Sequence, residues 1–125
     1  MLIVVAYLIS ALVSYLLGSL NAGIIISKLV AKKDIRSFGS GNAGATNVLR
    51  IFGLKPAIFT LIVDCLKSTL AVFLAMCFFK WLCPDINNIY GLCVASFFSV
   101  LGHIFPVYFG FKGGKGVMTF CGSLI

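Results

Sequence analysis

The chain of 125 residues is too apolar to form a soluble domain. Hydrophobic residues make up 61% of it and charged residues only 10%, with a net charge of +7, whereas a soluble domain has about 25% charged residues. A soluble fold of this length needs a mostly polar surface, and too few polar residues are present to form one. The composition therefore predicts an integral membrane protein whose remaining apolar surface faces lipid.

Three hydrophobic stretches follow one another in chain order, at 1–27, 56–79 and 86–111. Each is long enough to cross the hydrocarbon core, which needs about 20 residues. The first has no basic residues before it and is too long for a signal peptide, so we interpret it as a retained span. A fourth stretch begins at Val117, and the nine residues present are too few to cross.

Helices are expected in these stretches because backbone groups in lipid must pair within the segment. We therefore predict one all-α domain over residues 1–125, a polytopic transmembrane helical bundle of about three full spans plus the start of a fourth. The five cysteines form no CxxC pair, so neither a metal site nor a disulfide framework is expected.

Positive charge is concentrated between the first and second spans. Six basic residues lie from Lys28 to Lys55 against one acid, Asp34, and the tail adds Lys112 and Lys115. The positive-inside rule places this loop and the tail in the cytoplasm, with the N-terminus outside. Orientation and attraction to anionic lipid head groups are sufficient to explain the basicity if the loops carry no other feature. No nucleic acid partner is expected.

The first basic loop contains a glycine-rich motif, GSGNAGATN, which starts at Gly39 and is followed by Arg50. Its glycines permit the backbone geometry of an anion-binding nest, and Arg50 is suited to bidentate phosphate binding. A short helix beginning near Thr46 would add the N–H groups of its first turn. The side chains that provide neutral donors are Ser40, Asn42, Thr46 and Asn47. The alternative interpretation is a flexible polar connector.

A second glycine-rich segment, GHIFPVYFGFKGGKG, starts at Gly102. Backbone N–H groups of its glycines and the ammonium group of Lys115 would converge on a phosphate. It is not a nucleotide-binding P-loop, because Gly110 and Gly114 enclose three residues instead of four and Gly116 replaces the hydroxyl residue that holds magnesium. The alternative is a cytoplasmic turn with orienting lysines.

Three ionisable residues lie within the predicted spans. Asp64 and Lys67 are three apart, so they share one helical face and are expected to neutralise one another as a structural ion pair, with a direct catalytic role as the alternative. His103, the only histidine, lies near the cytoplasmic end of the third span. A lone histidine is usually an interior residue with satisfied hydrogen bonds, but ionisable groups in a membrane are functional candidates, and His103 can line the same pocket as Lys115.

Three stretches together resemble the PlsY family of acyl-phosphate:glycerol-3-phosphate acyltransferases. They are GSGNAGATNVLR in the first loop, DCLKS in the second span and GHIFPVYFGFKGGKGVMT at the third. The resemblance implies transfer of a fatty acyl group from acyl phosphate to the 1-hydroxyl of glycerol 3-phosphate in the cell inner membrane. The product would be lysophosphatidic acid for phospholipid biosynthesis. The partners implied are glycerol 3-phosphate, acyl phosphate and membrane lipid, without a cofactor or metal.

The resemblance also implies roles for particular residues. Catalytic roles fall on Ser40, Arg50, His103 and Lys115. Substrate-binding roles fall on a set of glycines and polar residues in the two motifs: Gly39, Gly41, Asn42, Gly44, Thr46, Asn47, Gly113, Gly114 and Gly116. No enzyme nucleophile is implied, since Tyr108 stands where an HxxxxD acyltransferase places its aspartate and the acyl phosphate is already activated.

The sequence departs from the family pattern at Asn21, where many relatives carry proline, and at Ser68, where glycine is common. The resemblance further implies a longer chain with more spans and a C-terminal motif, so this sequence is expected to correspond to the first part of such a bundle. The alternative function is therefore an inactive truncated remnant, or a partial subunit that acts as a homo-oligomer or with a complementing chain. A small channel or transporter subunit is favoured by composition only.

Overall fold

The computed structural model describes all 125 residues, and the fold is entirely helical. The loops contain two single 3-10 turns, Ile35–Ser37 and Val107–Phe109. The prediction of an all-α bundle is confirmed. The six α-helices are α1 (Leu2–Gly18), α2 (Ala22–Ala31), α3 (Ala45–Phe52), α4 (Leu54–Leu82), α5 (Ile89–Ile104) and α6 (Val117–Ser123).

Three segments are long and apolar enough to cross a membrane: Leu2–Ala31, Leu54–Leu82 and Ile89–Phe109. Large apolar side chains on these segments point outward, as with Leu8 and Phe97, which are 65% and 62% exposed. An outward apolar surface is what lipid contact requires. The three predicted spans are thus present as three candidate spans, and the short helix α6, with seven residues, lies where the start of a fourth was predicted.

The first hydrophobic stretch differs from the prediction because it is not one continuous helix. Helix α1 ends at Gly18, and α2 starts at Ala22 after three intervening residues, the last of which, Asn21, accepts the N–H of Ile24 with its side-chain oxygen. Asparagine is a favoured N-cap residue, so Asn21 starts the second helix. Because of the break, the carbonyl of Leu20 accepts no backbone N–H of a following helical turn.

Helix α1 packs against α5 through small residues. Its buried face consists of Ala6, Ser10, Ser14 and Gly18. A Cβ atom on Gly18 would overlap the carbonyl of Ser99 in α5. Small residues allow this close approach of helix backbones, which is a common mode of packing in membranes. The contact fixes the end of α5 that carries His103.

We expect Gly18→Val to destabilise the bundle, because its side chain would force α1 away from α5. Overpacking of this kind costs about 1–3 kcal/mol. Thermal unfolding in detergent measures the effect, with Leu12→Val as the matched control because Leu12 is 60% exposed on the outer face of α1. Equal unfolding temperatures for the two variants would contradict the close α1–α5 contact.

Candidate active site

Both glycine-rich segments meet the end of α5 at one end of the bundle, around a cavity of about 380 Å³. Helix α4 contributes Leu61 and Asp64 to the wall. The start of α6 contributes Val117 and Met118. The cavity therefore joins segments that are far apart in the sequence.

The four residues expected to be catalytic, Ser40, Arg50, His103 and Lys115, all line this cavity. The predicted proximity of His103 and Lys115 is confirmed. Of the nine residues expected to bind substrate, five also lie in the wall: Asn42, Gly44, Thr46, Asn47 and Gly116. The other four, Gly39, Gly41, Gly113 and Gly114, are not among the residues that line the wall.

Two cations in the cavity wall have no partner within the chain. Arg50 and Lys115 are exposed and take part in none of the three ion pairs and in no side-chain hydrogen bond. The one acid in the wall, Asp64, is already paired with Lys67. The cavity therefore carries an excess of positive charge that suits an anion.

The start of α3 adds backbone donors to these cations. The helix begins at Ala45 after Gly44, as predicted for the region of Thr46. The N–H groups of Ala45 and Thr46 make no hydrogen bond within the chain, as expected for the first turn of a helix. Free N–H groups and the helix dipole make such an end favourable for phosphate.

Asn47 organises the first loop and is not a free donor, contrary to the prediction. It is buried, and its side-chain Nδ2 lies 2.9 Å from the carbonyls of both Phe38 and Asn42 and 3.3 Å from that of Ile35. Its Oδ1 accepts the N–H of Ser40 at 3.1 Å. The amide group therefore holds the loop in shape and places Ser40 at the cavity.

The four glycines that do not line the wall have conformational roles. Gly39 and Gly41 have φ values of +56° and +73°, which glycine adopts without strain. The N–H groups of Gly113 and Gly114 donate to the carbonyls of Ile104 and His103 at 2.9 and 3.2 Å. The expectation that these two N–H groups converge on a phosphate is wrong, because they close the loop onto the end of α5.

A buried network lies at the base of the cavity. The predicted ion pair is present, with Lys67 Nζ 2.9 Å from Asp64 Oδ1. The same ammonium group donates to the carbonyl of Leu20 and contacts His103 Nδ1, each at 2.8 Å. The inclusion of His103 was not evident from the sequence, because only packing of α4 on α5 brings the residues together.

A partly exposed ion pair, Asp34 with Arg36, joins the two loops. Asp34 accepts two hydrogen bonds from the Arg36 guanidinium, at 3.0 Å from Nε and 2.6 Å from Nη2. Arg36 Nη1 donates to the carbonyls of Phe109 and Lys112 in the second segment. We refer to this link, from Asp34 through Arg36 to the second segment, as the clasp. It was not predicted from the sequence, because the spacing of Asp34 and Arg36 indicates the pair but not its distant partners.

The chain is similar to a known family of proteins along almost its whole length. A family model described as glycerol-3-phosphate acyltransferase matches residues 8–125. The chain belongs to the glycerol-3-phosphate acyltransferase family. A member from Bartonella henselae is 48% identical over 111 residues, covering 89% of this chain and 51% of its own length. One from Agrobacterium fabrum is 46% identical, covering 94% and 53%.

Solved structures of the family agree with the fold. The crystal structure of PlsY, an integral membrane glycerol 3-phosphate acyltransferase, in its glycerol 3-phosphate form is 42% identical, with a TM-score of 0.80. It covers 94% of this chain, which covers 56% of it. The lysophosphatidic acid form is 41% identical with a TM-score of 0.76. The chain spans about half the length of the relatives it matches.

The clasp predicts a particular pH dependence of stability. The hydrogen bond from Arg36 lowers the pKa of Asp34 below its ordinary value of 3.8. A depressed carboxyl pKa contributes stability above the ordinary value, and the contribution disappears as pH falls through the lowered value. The pair is partly exposed, so we expect no more than about 1 kcal/mol.

Asp34→Asn should therefore lower the unfolding temperature by the same amount from pH 8 to pH 5, and by progressively less below pH 4. Asp85→Asn is the matched control, since Asp85 is exposed and makes no ion pair. An Asp34→Asn effect that grows on acidification would be inconsistent with the clasp.

Asn47→Ala removes the amide group that holds the first loop. We expect a loss of about 1–3 kcal/mol, because buried backbone carbonyls and the N–H of Ser40 lose their partner. Thermal unfolding in detergent measures it, and Asn88→Ala is the control because Asn88 precedes α5 without a side-chain cap. Comparable stability of both variants would argue against the organising role.

Proposed function

We propose that the chain carries the site of an acyltransferase that moves a fatty acyl group from acyl phosphate to the 1-hydroxyl of glycerol 3-phosphate. Lysophosphatidic acid for phospholipid biosynthesis is the product. The observation that carries the proposal is the pair of unpartnered cations, Arg50 and Lys115, at one cavity with the free N–H groups of α3. Both substrates present phosphate groups, which this set of donors suits.

The two phosphates are assigned to the two sides of the cavity. Arg50, Ser40 and the first turn of α3 bind the phosphate of glycerol 3-phosphate, since they belong to one loop and can close around one anion. Lys115, from the opposite segment, binds the phosphate of the acyl donor. This arrangement brings the acceptor hydroxyl and the donor carbonyl into one small space, and such proximity is itself a large catalytic factor.

The reaction needs no covalent enzyme intermediate. Ser40 makes no hydrogen bond to a histidine or a carboxylate, so nothing activates it as a nucleophile. The 1-hydroxyl oxygen attacks the acyl carbon, and the bond from that carbon to the phosphate oxygen breaks. The departing phosphate takes the hydroxyl proton. Lys115 and Arg50 stabilise the negative charge that develops.

An apolar groove beside the cavity suits the acyl chain. It has a volume of about 750 Å³ between α4, α5 and α6, with walls that include Val72, Phe97 and Phe120. Val100 lines this groove and lies against Gly116 of the cavity wall. The donor phosphate can therefore occupy the polar cavity while its hydrocarbon chain leaves through the apolar side.

The proposal also includes the orientation of the chain in the cell inner membrane. The N-terminus lies outside, and the cavity opens to the cytoplasm. The support is the distribution of charge, because the basic loop from Lys28 to Lys55 and the tail with Lys115 lie at the cavity end of the bundle. Positively charged loops are retained on the cytoplasmic side.

The direct test is an acyl-transfer assay on membranes that contain this chain and lack another acyltransferase. Labelled glycerol 3-phosphate and palmitoyl phosphate should yield labelled lysophosphatidic acid. Absence of product above empty membranes would reject activity for the chain by itself. A second chain with the remaining half of a family member can be coexpressed. If product forms only then, the chain is a partial subunit that needs a complementing chain.

We expect Arg50→Ala and Lys115→Ala each to lower turnover about 100-fold or more, because each removes a charged donor from the reacting phosphates. Lys55→Ala is the matched control, since Lys55 is exposed on α4 outside the cavity. Membrane insertion should be equal in all three. Unchanged rates in both cavity variants would refute the proposed site.

A further inference from the structure

We propose that Lys67 is a positioning residue that holds His103 as the tautomer protonated at Nε2. The imidazole then presents a neutral N–H donor to a substrate phosphate in the cavity. The ligand part of this inference rests on the proposed function, whereas the tautomer depends on the protein alone.

The first step is the hydrogen bonding of Lys67. An ammonium group has three N–H donors and no acceptor. Nζ forms an ion pair with Asp64 Oδ1 at 2.9 Å, donates to the carbonyl of Leu20 at 2.8 Å and lies 2.8 Å from His103 Nδ1. Because an ammonium group can only donate, His103 Nδ1 must be the acceptor. In a neutral imidazole the proton then resides on Nε2.

The opposite tautomer has poorer geometry. A proton on Nδ1 would point at the Lys67 ammonium group and could reach only Asp64 Oδ1, which is 3.6 Å away. That distance is beyond an ordinary hydrogen bond. The side chains of Asp64, Lys67 and His103 are each 5% exposed or less, so the position of Lys67 decides the state of the ring.

The second step is the free edge of the imidazole. His103 lines the cavity, and its Nε2 makes no hydrogen bond within the chain. Nε2 lies against Gly114, where an added Cβ atom would overlap it. The glycine therefore leaves room for this edge of the ring, and His103 lines the same cavity as Lys115.

The single histidine makes the tautomer directly measurable. Nitrogen-15 NMR of ¹⁵N-histidine-labelled protein in detergent at pH 7 should show Nε2 protonated and Nδ1 unprotonated. Protonation at Nδ1 in the unmodified protein would overturn the inference, whatever the protein's activity.

Lys67→Met should reverse the tautomer, because the carboxylate of Asp64 then becomes the nearest partner of Nδ1. The double variant Asp64→Leu/Lys67→Met removes both restraints without leaving a buried unpaired charge, and it should give mixed tautomers. Lys80→Met is the matched control, since Lys80 is exposed on the same helix and contacts none of these residues. Unchanged ring signals in the double variant would refute the role of Lys67.

Ligand titrations separate this inference from the proposed function. Glycerol 3-phosphate and inorganic phosphate are added separately, while binding is measured independently with radiolabelled ligand. A shift of the Nε2 signal with either ligand supports the inference and identifies which phosphate His103 contacts. Binding of both without any Nε2 shift would overturn the donor role, whereas absence of binding would count against the proposed function and leave the tautomer result standing.

The kinetic expectation is a loss of about 10- to 100-fold in kcat/KM for Lys67→Met, because one hydrogen bond to a charged group is misdirected. The loss should parallel the fraction of protein in the Nδ1–H form. A loss in a variant with the native tautomer would show a purely structural role for Lys67 and contradict the proposal.

Discussion

The structure depends on one buried cation. Lys67 lies where α4 passes the break between α1 and α2 and the end of α5; it forms an ion pair with Asp64 on its own helix and hydrogen bonds to Leu20 in the break and to His103 in α5. A lone ammonium group in a membrane interior is costly, and it persists only when partners replace its water. Asp64 neutralises the charge, and the broken helix provides a carbonyl. The interior break and the buried charge therefore stabilise one another.

A second level of organisation fixes the loops above this network. Asn47 shapes the first loop from within, and Arg36 joins that loop to the carbonyls of the second segment. Gly113 and Gly114 close the second segment onto α5. As a result, the groups that remain unbonded in the cavity are those that can bind an anion: two cations, the first turn of α3 and one edge of an imidazole. Much of the glycine-rich sequence positions these groups without contacting a ligand itself.

The sequence was sufficient to predict the helical membrane fold, because long apolar stretches have few alternatives in lipid. It also identified the four principal cavity residues and the Asp64–Lys67 pair. It did not reveal the break at Asn21, since an asparagine within an apolar run is compatible with several helix boundaries. It did not reveal that the Asn47 amide group is bonded to the backbone of its own loop, because a polar side chain in a loop carries no mark of the backbone groups that it contacts. The Arg36 clasp and the link from Lys67 to His103 depend on tertiary packing, which local patterns do not encode.

The unpaired state of Arg50 and Lys115 has a consequence for the molecule without ligand. Two like charges that face a shared cavity repel one another, and the free N–H groups of α3 add to the same positive potential. Under the proposed function, a dianion that binds this cavity in the folded protein only would stabilise it, so that occupancy and thermal stability would be coupled. A ligand present at 100 times its Kd raises the free energy of unfolding by about 2.7 kcal/mol, and part of the binding energy thus strengthens the bundle itself.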